Sequence, residues 1–405
     1  MSENLPQLPP GPDQGFRPSW FLGGVAIGLA ALAFLGRQAG RTDYHPDFIR
    51  LVTAVTPEDN YYPTVDELCS IVRTKCSPDQ VLVIVGGNSI LAGVWQPAAE
   101  LWSEKLQADL GPRYAVVNLA FRGSEPTDGG AVIAEALRRE YPRQIYVANE
   151  ALVTGEDTYG SDPYRFLFWQ AYFSGRLMRF PIRDFRVREY LLDKVRRKES
   201  LDIVIRELAD RVLRFHDLWN RIGYEHFFTV PNMYGGAIPE LLAPRRDFPD
   251  EERDVTDPEL ADKWYPPSSE AAELAIVRGT CQLTYEMTPG GVWEMTPATR
   301  SEMHRTLMEA FPDPLKGRTL ILISRSSPHY ISQLTPLEQA HYDQAARETV
   351  AIWKDVGYPC IDYGRDFGPE DFGDRTHLSK FGGKKLADLV AVEIREIAVR
   401  RGYLK

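Results

Sequence analysis

A serine that follows a run of β-branched residues stands where a nucleophile could act. The run Val81–Val85 ends at Gly86 and Gly87, and Ser89 comes two residues later. A serine on a glycine-rich turn directly after a buried strand has its hydroxyl exposed at the carboxyl edge of the sheet, which is the geometry that a nucleophile needs. The alternative is that Ser89 only caps the turn or the next helix, and this loop alone decides for neither.

An aspartate and a histidine near the end of the chain are candidates for an acid–base pair. In the segment Asp374-Arg375-Thr376-His377, the carboxylate and the imidazole are three residues apart on a turn. Such a carboxylate can orient the imidazole and stabilise its cation, which leaves the other ring nitrogen to act as a base. Alternatively, Asp374 or Ser379 caps the last helix, and His377 lies on the surface.

Two further loop residues could stabilise negative charge. Gly123 follows the second predicted strand and Asn149 follows the third. A glycine amide and an asparagine side chain near a serine can donate hydrogen bonds to the oxyanion of a tetrahedral intermediate. Each is an ordinary loop residue when taken alone, so the prediction depends on the strands bringing both loops to Ser89.

Strands that alternate with helices must position these loops. Apolar, β-branched runs predict strands at 81–85, 114–118, 144–148, 226–230, 319–324 and 360–363. Periodic patterns predict helices at 97–110, 130–140, 336–355 and 378–400. The alternation predicts an α/β fold with a parallel sheet and helices on both faces, and in such sheets the ligand binds at the carboxyl ends of the strands. Two stretches interrupt it: 151–222 is predicted to be mostly helical, and the Pro- and acid-rich 231–318 to be irregular.

Taken together, these segments resemble the SGNH, or GDSL-type, hydrolase family. The segment Gly87-Asn88-Ser89-Ile90-Leu91-Ala92-Gly93 is similar to the first block of that family, GDSxxxG. Gly123 and Asn149 fit its second and third blocks, and Asp374-x-x-His377 fits its fifth. The blocks occur in the family's order, each after a predicted strand or before the last helix.

The resemblance covers residues 81–150 and 319–400 and implies a flavodoxin-like sheet with ester hydrolysis or acyl transfer through a serine. It implies the following roles: nucleophile Ser89, base His377, orienting acid Asp374, and an oxyanion hole made by the amides of Ser89 and Gly123 with the side chain of Asn149. There are two departures from the family pattern. Asn88 replaces the usual aspartate beside the serine, and Val147 stands where the third block has a glycine.

The segment before residue 40 predicts a membrane anchor. Between Arg17 and Arg37, the 19 residues 18–36 carry no charge, and at 1.5 Å per residue they would extend about 28 Å, close to the thickness of a bilayer core. Gly24 and Gly28 form a GxxxG pair that would let another helix pack closely. A cleaved signal peptide is the alternative.

The side of the membrane follows from two opposing signals. The arginines after the helix favour a cytoplasmic main domain by the positive-inside rule. An N-terminal anchor followed by an SGNH domain instead looks like bacterial proteins that modify envelope polymers outside the cytoplasm. We therefore predict a single-pass protein of the inner membrane whose main domain is periplasmic.

Composition excludes several other classes. The chain has 47 Lys and Arg against 57 Asp and Glu, a net charge of −10, which argues against nucleic acid as the main partner because phosphate binding needs a basic face. Four cysteines in 405 residues exclude a disulfide scaffold and a Cys-rich zinc module. Cys69 and Cys76 are predicted to be free buried thiols, unless the helix that carries them ends near Thr74 and allows a disulfide. No cofactor or metal is expected.

The predicted organisation is a Pro-rich tail (1–17), a transmembrane helix (18–36), a linker with a leading helix (37–80), the SGNH-like α/β domain (81–150 and 319–405) and an insertion (151–318). Two functions remain open. The first is a membrane-anchored serine esterase or acyltransferase acting on an envelope ester or carbohydrate. The second is a non-catalytic SGNH-fold scaffold subunit of a larger inner-membrane complex, for example an energy-transducing or photosynthetic one. The predicted partners are membrane lipid, through residues 18–36, and a membrane protein or complex.

Overall fold

The computed structural model describes residues 18–39, 65–120, 124–127, 129–150, 167, 171, 175–177, 267–282, 286–287, 293–310 and 315–404. The strands are β1 (Val81–Val85), β2 (Tyr114–Asn118), β3 (Gln144–Glu150), β4 (Glu286–Met287), β5 (Trp293–Glu294), β6 (Thr319–Ile323) and β7 (Cys360–Asp362). The α-helices are α1 (Pro18–Ala39), α2 (Val65–Lys75), α3 (Trp102–Leu110), α4 (Gly129–Leu137), α5 (Pro267–Gln282), α6 (Pro297–Ala310), α7 (Pro328–Ile331), α8 (Pro336–Asp355) and α9 (Lys380–Arg400). Two short 3-10 helices cover Ala98–Glu100 and Pro369–Asp371.

Five strands form one parallel sheet in the order β2-β1-β3-β6-β7. Counted within the sheet, this is the 2-1-3-4-5 order of flavodoxin-like folds. The prediction of an α/β fold with a flavodoxin-like parallel sheet is therefore confirmed. All residues of β1, β2 and β6 are buried, as expected for strands covered on both faces. Strands β4 and β5 form a separate antiparallel pair.

Alternation along the strands creates two hydrophobic cores. Leu82 and Ile84 of β1 point to one face, where they pack in a cluster with residues of α2, α4 and α8. Val81, Val83 and Val85 point to the other face, into a cluster with residues of α3 and α9. Because side chains alternate across a strand, one five-residue run anchors helices on both sides of the sheet.

The predicted helix at 97–110 is wrong in one respect, because it is broken into a 3-10 turn and α3. Leu101 has an extended backbone, with ψ of 134°, and the buried Gln96 side chain accepts a hydrogen bond from the N–H of Trp102 at 2.9 Å. A side chain from the preceding loop thus satisfies an amide at the start of α3. The last helix begins at Lys380 rather than 378, because Ser379 caps it through its hydroxyl.

The prediction that 231–318 is irregular is wrong for its second half. Helices α5 and α6 and the β4–β5 pair lie there. Both helices begin at a proline, Pro267 and Pro297, where the missing N–H costs nothing because the first turn of a helix leaves it unpaired anyway. The predicted strand at 226–230 and nearly all of the helical stretch 151–222 lie outside the described residues. The division into domains stays a prediction.

Helix α1 occupies the predicted anchor segment. In the part of the chain that the structure describes, no helix is long and apolar enough to cross a membrane.

The sequence leaves open whether Cys69 and Cys76 are free thiols or form a disulfide. Cys69 lies in α2 and Cys76 directly after it, and both are free, buried thiols. Burial raises the pKa of each thiol to about 11. The prediction of free thiols is confirmed, although α2 ends at Lys75, close to Thr74.

Candidate active site

The loop after β1 holds Ser89 at the carboxyl edge of the sheet. Gly87 has a positive φ of 85°, and a Cβ added there would collide with the Asn149 side chain, so the chain can turn at this point only with glycine. The Asn88 side-chain oxygen accepts a hydrogen bond from the N–H of Ile90 at 3.0 Å, and the Ala92 N–H donates to the Asn88 carbonyl at 3.0 Å. These bonds close a compact turn that carries Ser89.

A second tight turn holds Asp374 and His377. Phe372 and Leu378 pair as an antiparallel bridge, and the Gly373 N–H donates to the His377 carbonyl at 2.8 Å. Asp374 Oδ1 accepts hydrogen bonds from the backbone N–H groups of Thr376 at 2.9 Å and His377 at 2.8 Å. An aspartate that bonds the backbone two and three residues later fixes the local turn, as in an Asx turn.

The two turns meet. His377 Nε2 lies 2.7 Å from Ser89 Oγ, and His377 Nδ1 lies 2.7 Å from Asp374 Oδ2. The structure therefore brings together the three residues that the sequence predicts as nucleophile, base and orienting acid, although Ser89 and His377 are 288 positions apart.

The charge state of Asp374 fixes the direction of these hydrogen bonds. Burial alone would raise the pKa of Asp374, but the hydrogen bond and charge of His377, with the two backbone N–H groups, hold it well below its usual range. An ionised carboxylate only accepts hydrogen bonds, so His377 Nδ1 carries the proton. In the neutral ring, Nε2 then has the lone pair that accepts the Ser89 proton.

Asn149 lies at the end of β3, as predicted, and its side-chain amide is hydrogen-bonded within the protein. Its side chain is fully buried, its Oδ1 accepts from the Asn88 N–H at 3.0 Å, and its Nδ2 donates to Asn88 Oδ1 at 2.8 Å and Ser324 Oγ at 3.0 Å. The Asn88 N–H fixes which end of the amide faces it, since two donors would oppose each other in the flipped orientation. Both Nδ2 hydrogens are used, so none is left for an oxyanion. Asn149 thus connects β3 to the loop of residues 86–97 that carries Ser89, which we call the nucleophile loop.

The other two predicted oxyanion donors are the backbone amides of Gly123 and Ser89. Gly123 lies outside the described residues. Of the bonds among the described residues, none uses the backbone N–H of Ser89. That amide, on the residue that would attack, is in the position of an oxyanion donor.

Two polar residues that the sequence analysis missed support the Asn149 contact. The Tyr363 hydroxyl donates to Ser324 Oγ at 2.8 Å, and Ser324 Oγ in turn accepts from Asn149. Burial raises the pKa of Tyr363, so its hydroxyl stays protonated. The signal was available, because Ser324 and Tyr363 follow directly on β6 and β7 at the same sheet edge.

An ion-pair cluster fixes the loop after β6. Arg325 Nε and Nη2 bind the two carboxylate oxygens of Asp362 at 2.6 and 2.7 Å, and Nη1 binds Asp343 at 2.6 Å. Two residues further on, the Ser327 N–H donates to the Arg375 carbonyl at 2.7 Å. The buried guanidinium thus anchors a loop that supports the turn carrying His377.

Helix α5 of the predicted insertion contacts the same turn. Glu273 of α5 binds Arg375 Nε at 2.5 Å, and Glu270 lies 3.1 Å from His329 Nε2 on α7. The insertion therefore borders the site that the sheet edge forms. Among the described residues, no group of three or more His, Cys, Asp or Glu side chains could hold a metal ion.

The chain matches no protein-family model and no curated protein. Among solved structures it is similar to the native aryl esterase of M. smegmatis, with 13% sequence identity and a TM-score of 0.28. The match covers 78% of this chain and 99% of that chain. A likeness at this TM-score does not indicate a function.

Proposed function

We propose that the protein is a serine esterase or acyltransferase of SGNH type, with Ser89 as nucleophile, His377 as base and Asp374 as orienting acid. The observation that carries this proposal is the unbroken chain of short contacts from Ser89 Oγ through the His377 ring to Asp374, with 2.7 Å at each step. A serine within hydrogen-bond reach of a base that a third group orients is the arrangement of an activated nucleophile.

The first half of the reaction follows from the direction of the hydrogen bonds. His377 Nε2 takes the proton of Ser89 Oγ as that oxygen attacks the carbonyl carbon of an ester. The Asp374 carboxylate stabilises the imidazolium that forms, and the Ser89 N–H donates to the developing oxyanion. When the intermediate collapses, the C–O bond to the alcohol breaks, and the leaving oxygen takes the proton from His377 Nε2.

The second half returns Ser89 to its starting state. A water molecule or the hydroxyl of an acceptor gives its proton to His377 Nε2 and attacks the acyl-serine carbonyl. The bond between the acyl carbon and Ser89 Oγ then breaks, and Oγ takes the proton back from His377 Nε2. Water yields an acid, and an acceptor hydroxyl yields a new ester. The choice between hydrolysis and transfer depends on which of the two reaches the carbonyl first. We assign the substrate to the class of esters or carbohydrates of the cell envelope, as the family resemblance implies.

A fluorophosphonate probe tests the nucleophile directly, because it labels only an activated serine. Wild-type protein should be labelled at Ser89 and should hydrolyse p-nitrophenyl acetate. Ser89→Ala should lose both, and His377→Ala should cost about as much as Ser89→Ala because the triad acts as a unit. Ser332→Ala is the matched control, since the Ser332 hydroxyl donates only to the His329 carbonyl at 3.1 Å on an exposed helix end. No labelling of folded wild-type protein would instead support the non-catalytic scaffold.

The proposal includes anchoring at the inner membrane, with the main domain on the periplasmic side. No described helix is long and apolar enough to cross a bilayer, so its support is the uncharged sequence 18–36 and the exposure of apolar side chains on α1. Trp20, Ile27 and Phe34 are 76%, 72% and 61% exposed, and added Cβ atoms at Gly24 and Gly28 would meet nothing within 4 Å. Large apolar side chains exposed along a helix need lipid or another protein to cover them.

Flotation with phosphatidylethanolamine–phosphatidylglycerol vesicles tests the anchor. The full chain should float with the vesicles, and a variant that lacks residues 1–39 should stay at the bottom of the gradient. Gly24→Leu with Gly28→Leu distinguishes lipid from a protein partner. That variant should still float if lipid covers the helix, but should separate from a partner protein in native membranes.

A further inference from the structure

The triad carboxylate has a side-chain partner that its predicted role does not include. Trp95 Nε1 lies 2.6 Å from Asp374 Oδ2, which is the same oxygen that lies 2.7 Å from His377 Nδ1. Oδ1 of the carboxylate accepts from two backbone amides. Four N–H groups therefore surround Asp374, and the indole is the one that comes from the nucleophile loop.

The backbone of Trp95 is unusual in a way that matches this contact. Its φ is 71°, and within the described residues it is the one non-glycine residue with positive φ. A bulky residue seldom adopts this region and persists in it only where the surroundings enforce it. The conformation aims the indole at Asp374.

The surroundings of Trp95 do enforce it. An added Cβ at Gly373 would lie 3.0–3.1 Å from Trp95 side-chain atoms, so the absence of a side chain at Gly373 makes room for the indole. The next residue, Gln96, is fully buried and donates through Nε2 to the Leu378 carbonyl at 3.2 Å. Two consecutive side chains of the nucleophile loop thus donate hydrogen bonds to the turn that carries His377, one at Asp374 and one at Leu378.

We propose that Trp95 is a positioning residue of the triad, whose indole N–H holds the Asp374 carboxylate in the conformer that faces His377. Because Oδ2 shares its electron density between the indole and the imidazole, Trp95 also limits how tightly the carboxylate holds the imidazole proton. The catalytic consequence rests on the proposed function, but the structural claim does not. The hydrogen bond from Trp95 to Asp374 couples the loop that carries Ser89 to the carboxylate beside His377.

Trp95→Phe removes the N–H and keeps most of the ring. A hydrogen bond to a charged group is stronger than one between neutral groups, and part of it is lost from the transition state, so we expect kcat to fall about ten-fold with KM within about two-fold. The acid limb of the pH–rate profile should move, because the carboxylate then lacks the donor that competes with the imidazolium for Oδ2. A role in packing alone would leave the shape of the profile unchanged.

Trp102→Phe is the matched control. The Trp102 indole is fully buried, whereas Trp95 is half-buried, and it donates to the carbonyl of Leu91 at 2.7 Å. Its loss should lower the melting temperature as much as or more than Trp95→Phe, with kcat within about two-fold of wild type and an unchanged pH profile. Equal effects of the two substitutions on kcat and on the profile would overturn the proposal.

A double substitution with Asp374→Asn tests whether Trp95 acts through Asp374. If Trp95 acts through Asp374, Trp95→Phe should add little to the loss of kcat in the Asp374→Asn background, although it costs about ten-fold in the wild type. Full additivity of the two losses would count against the proposal.

Proton NMR separates this proposal from the proposed function, because it needs no turnover. The Trp95 indole N–H resonance should be shifted downfield in the wild type and should return upfield in Asp374→Asn, which lacks the charged acceptor. The His377 Nδ1–H resonance should move in Trp95→Phe and stay in Trp102→Phe. Shifted resonances without esterase activity would leave the positioning role intact and refute the enzyme. Esterase activity with both resonances unmoved by the substitutions would do the reverse.

Discussion

Asn149→Ala distinguishes two roles for one side chain. The family resemblance implies that Asn149 donates to the oxyanion, whereas its two amide hydrogens and its oxygen are all bonded within the protein. In the first role, the substitution would lower kcat by about 10²–10³-fold with little effect on folding, as for other oxyanion donors. In the second role, its main effect would be on stability.

The stability effect can be worked from the contacts. The substitution removes three hydrogen bonds and leaves the Asn88 N–H, Asn88 Oδ1 and Ser324 Oγ each one partner short. At about 1 kcal/mol per bond, the free energy of unfolding should fall by about 3 kcal/mol. At an unfolding entropy of about 2.1 cal/mol/K per residue, that corresponds to a melting temperature about 3–4 °C lower for a chain of 405 residues.

Two measurements on the same samples decide between the roles. Thermal unfolding gives the loss of stability, and turnover of p-nitrophenyl acetate per fluorophosphonate-reactive site gives kcat for the folded fraction. We expect the melting temperature to fall as above and kcat per reactive site to stay within about ten-fold of wild type. Ser324→Ala removes the bond from Asn149 and the bond from the Tyr363 hydroxyl, so it should cost about 2 kcal/mol and should not add fully to Asn149→Ala. A wild-type melting temperature with kcat reduced more than about 100-fold would refute this reasoning and restore Asn149 to the oxyanion hole.

Three further outcomes are expected. Gly87→Ala should lower stability by about 1–3 kcal/mol in urea unfolding and should abolish labelling of Ser89, because φ of 85° is unfavourable for alanine and its Cβ would meet Asn149; a fully labelled variant of wild-type stability would contradict the turn geometry. The pKa of Asp374 is depressed in the folded protein, so its contribution to stability is present above its unfolded pKa of about 4 and is lost as pH falls below that value. In urea titrations from pH 6 to 3, the free energy of unfolding should therefore decline more steeply for wild type than for Asp374→Asn. Cys69 and Cys76 should react with Ellman's reagent only after unfolding, because burial raises the pKa of both thiols to about 11; rapid reaction of the folded protein would show that α2 opens.

The parts of the fold that the sequence predicts well are those in which local pattern and tertiary packing agree. The β-branched runs at β1, β2 and β6 are short, apolar and flanked by turn residues, and each is buried on both faces, so no competing structure suits them. Helix α8 begins at Pro336 after a capping box formed by Thr335 and Glu338, a signal that can be read directly from the sequence.

The predictions fail where one local signal serves two structures. Prolines in the stretch 231–318 suggested irregular chain, but Pro267 and Pro297 each begin a helix. A proline both excludes a helix interior and favours a helix start, and its type alone does not say which applies. The break before α3 depends on the Gln96 side chain reaching the Trp102 N–H, a contact that no periodicity can show.

In the candidate site, the features that follow from residue type could be predicted, and those that depend on which hydrogen bonds a side chain makes could not. The convergence of Ser89, Asp374 and His377 could be predicted, because a nucleophile, an acid and a base would each need a particular functional group at a strand end. The role of Asn149 could not, since an amide at that position can donate to an oxyanion or be used up by its neighbours. In the structure, the side-chain oxygen and backbone N–H of Asn88 bind both ends of the Asn149 amide, and Ser324 takes the remaining hydrogen, which favours the second role. The indole of Trp95 is the converse case, because a residue with no chemistry of its own reaches Asp374 only through a backbone conformation that tryptophan seldom adopts.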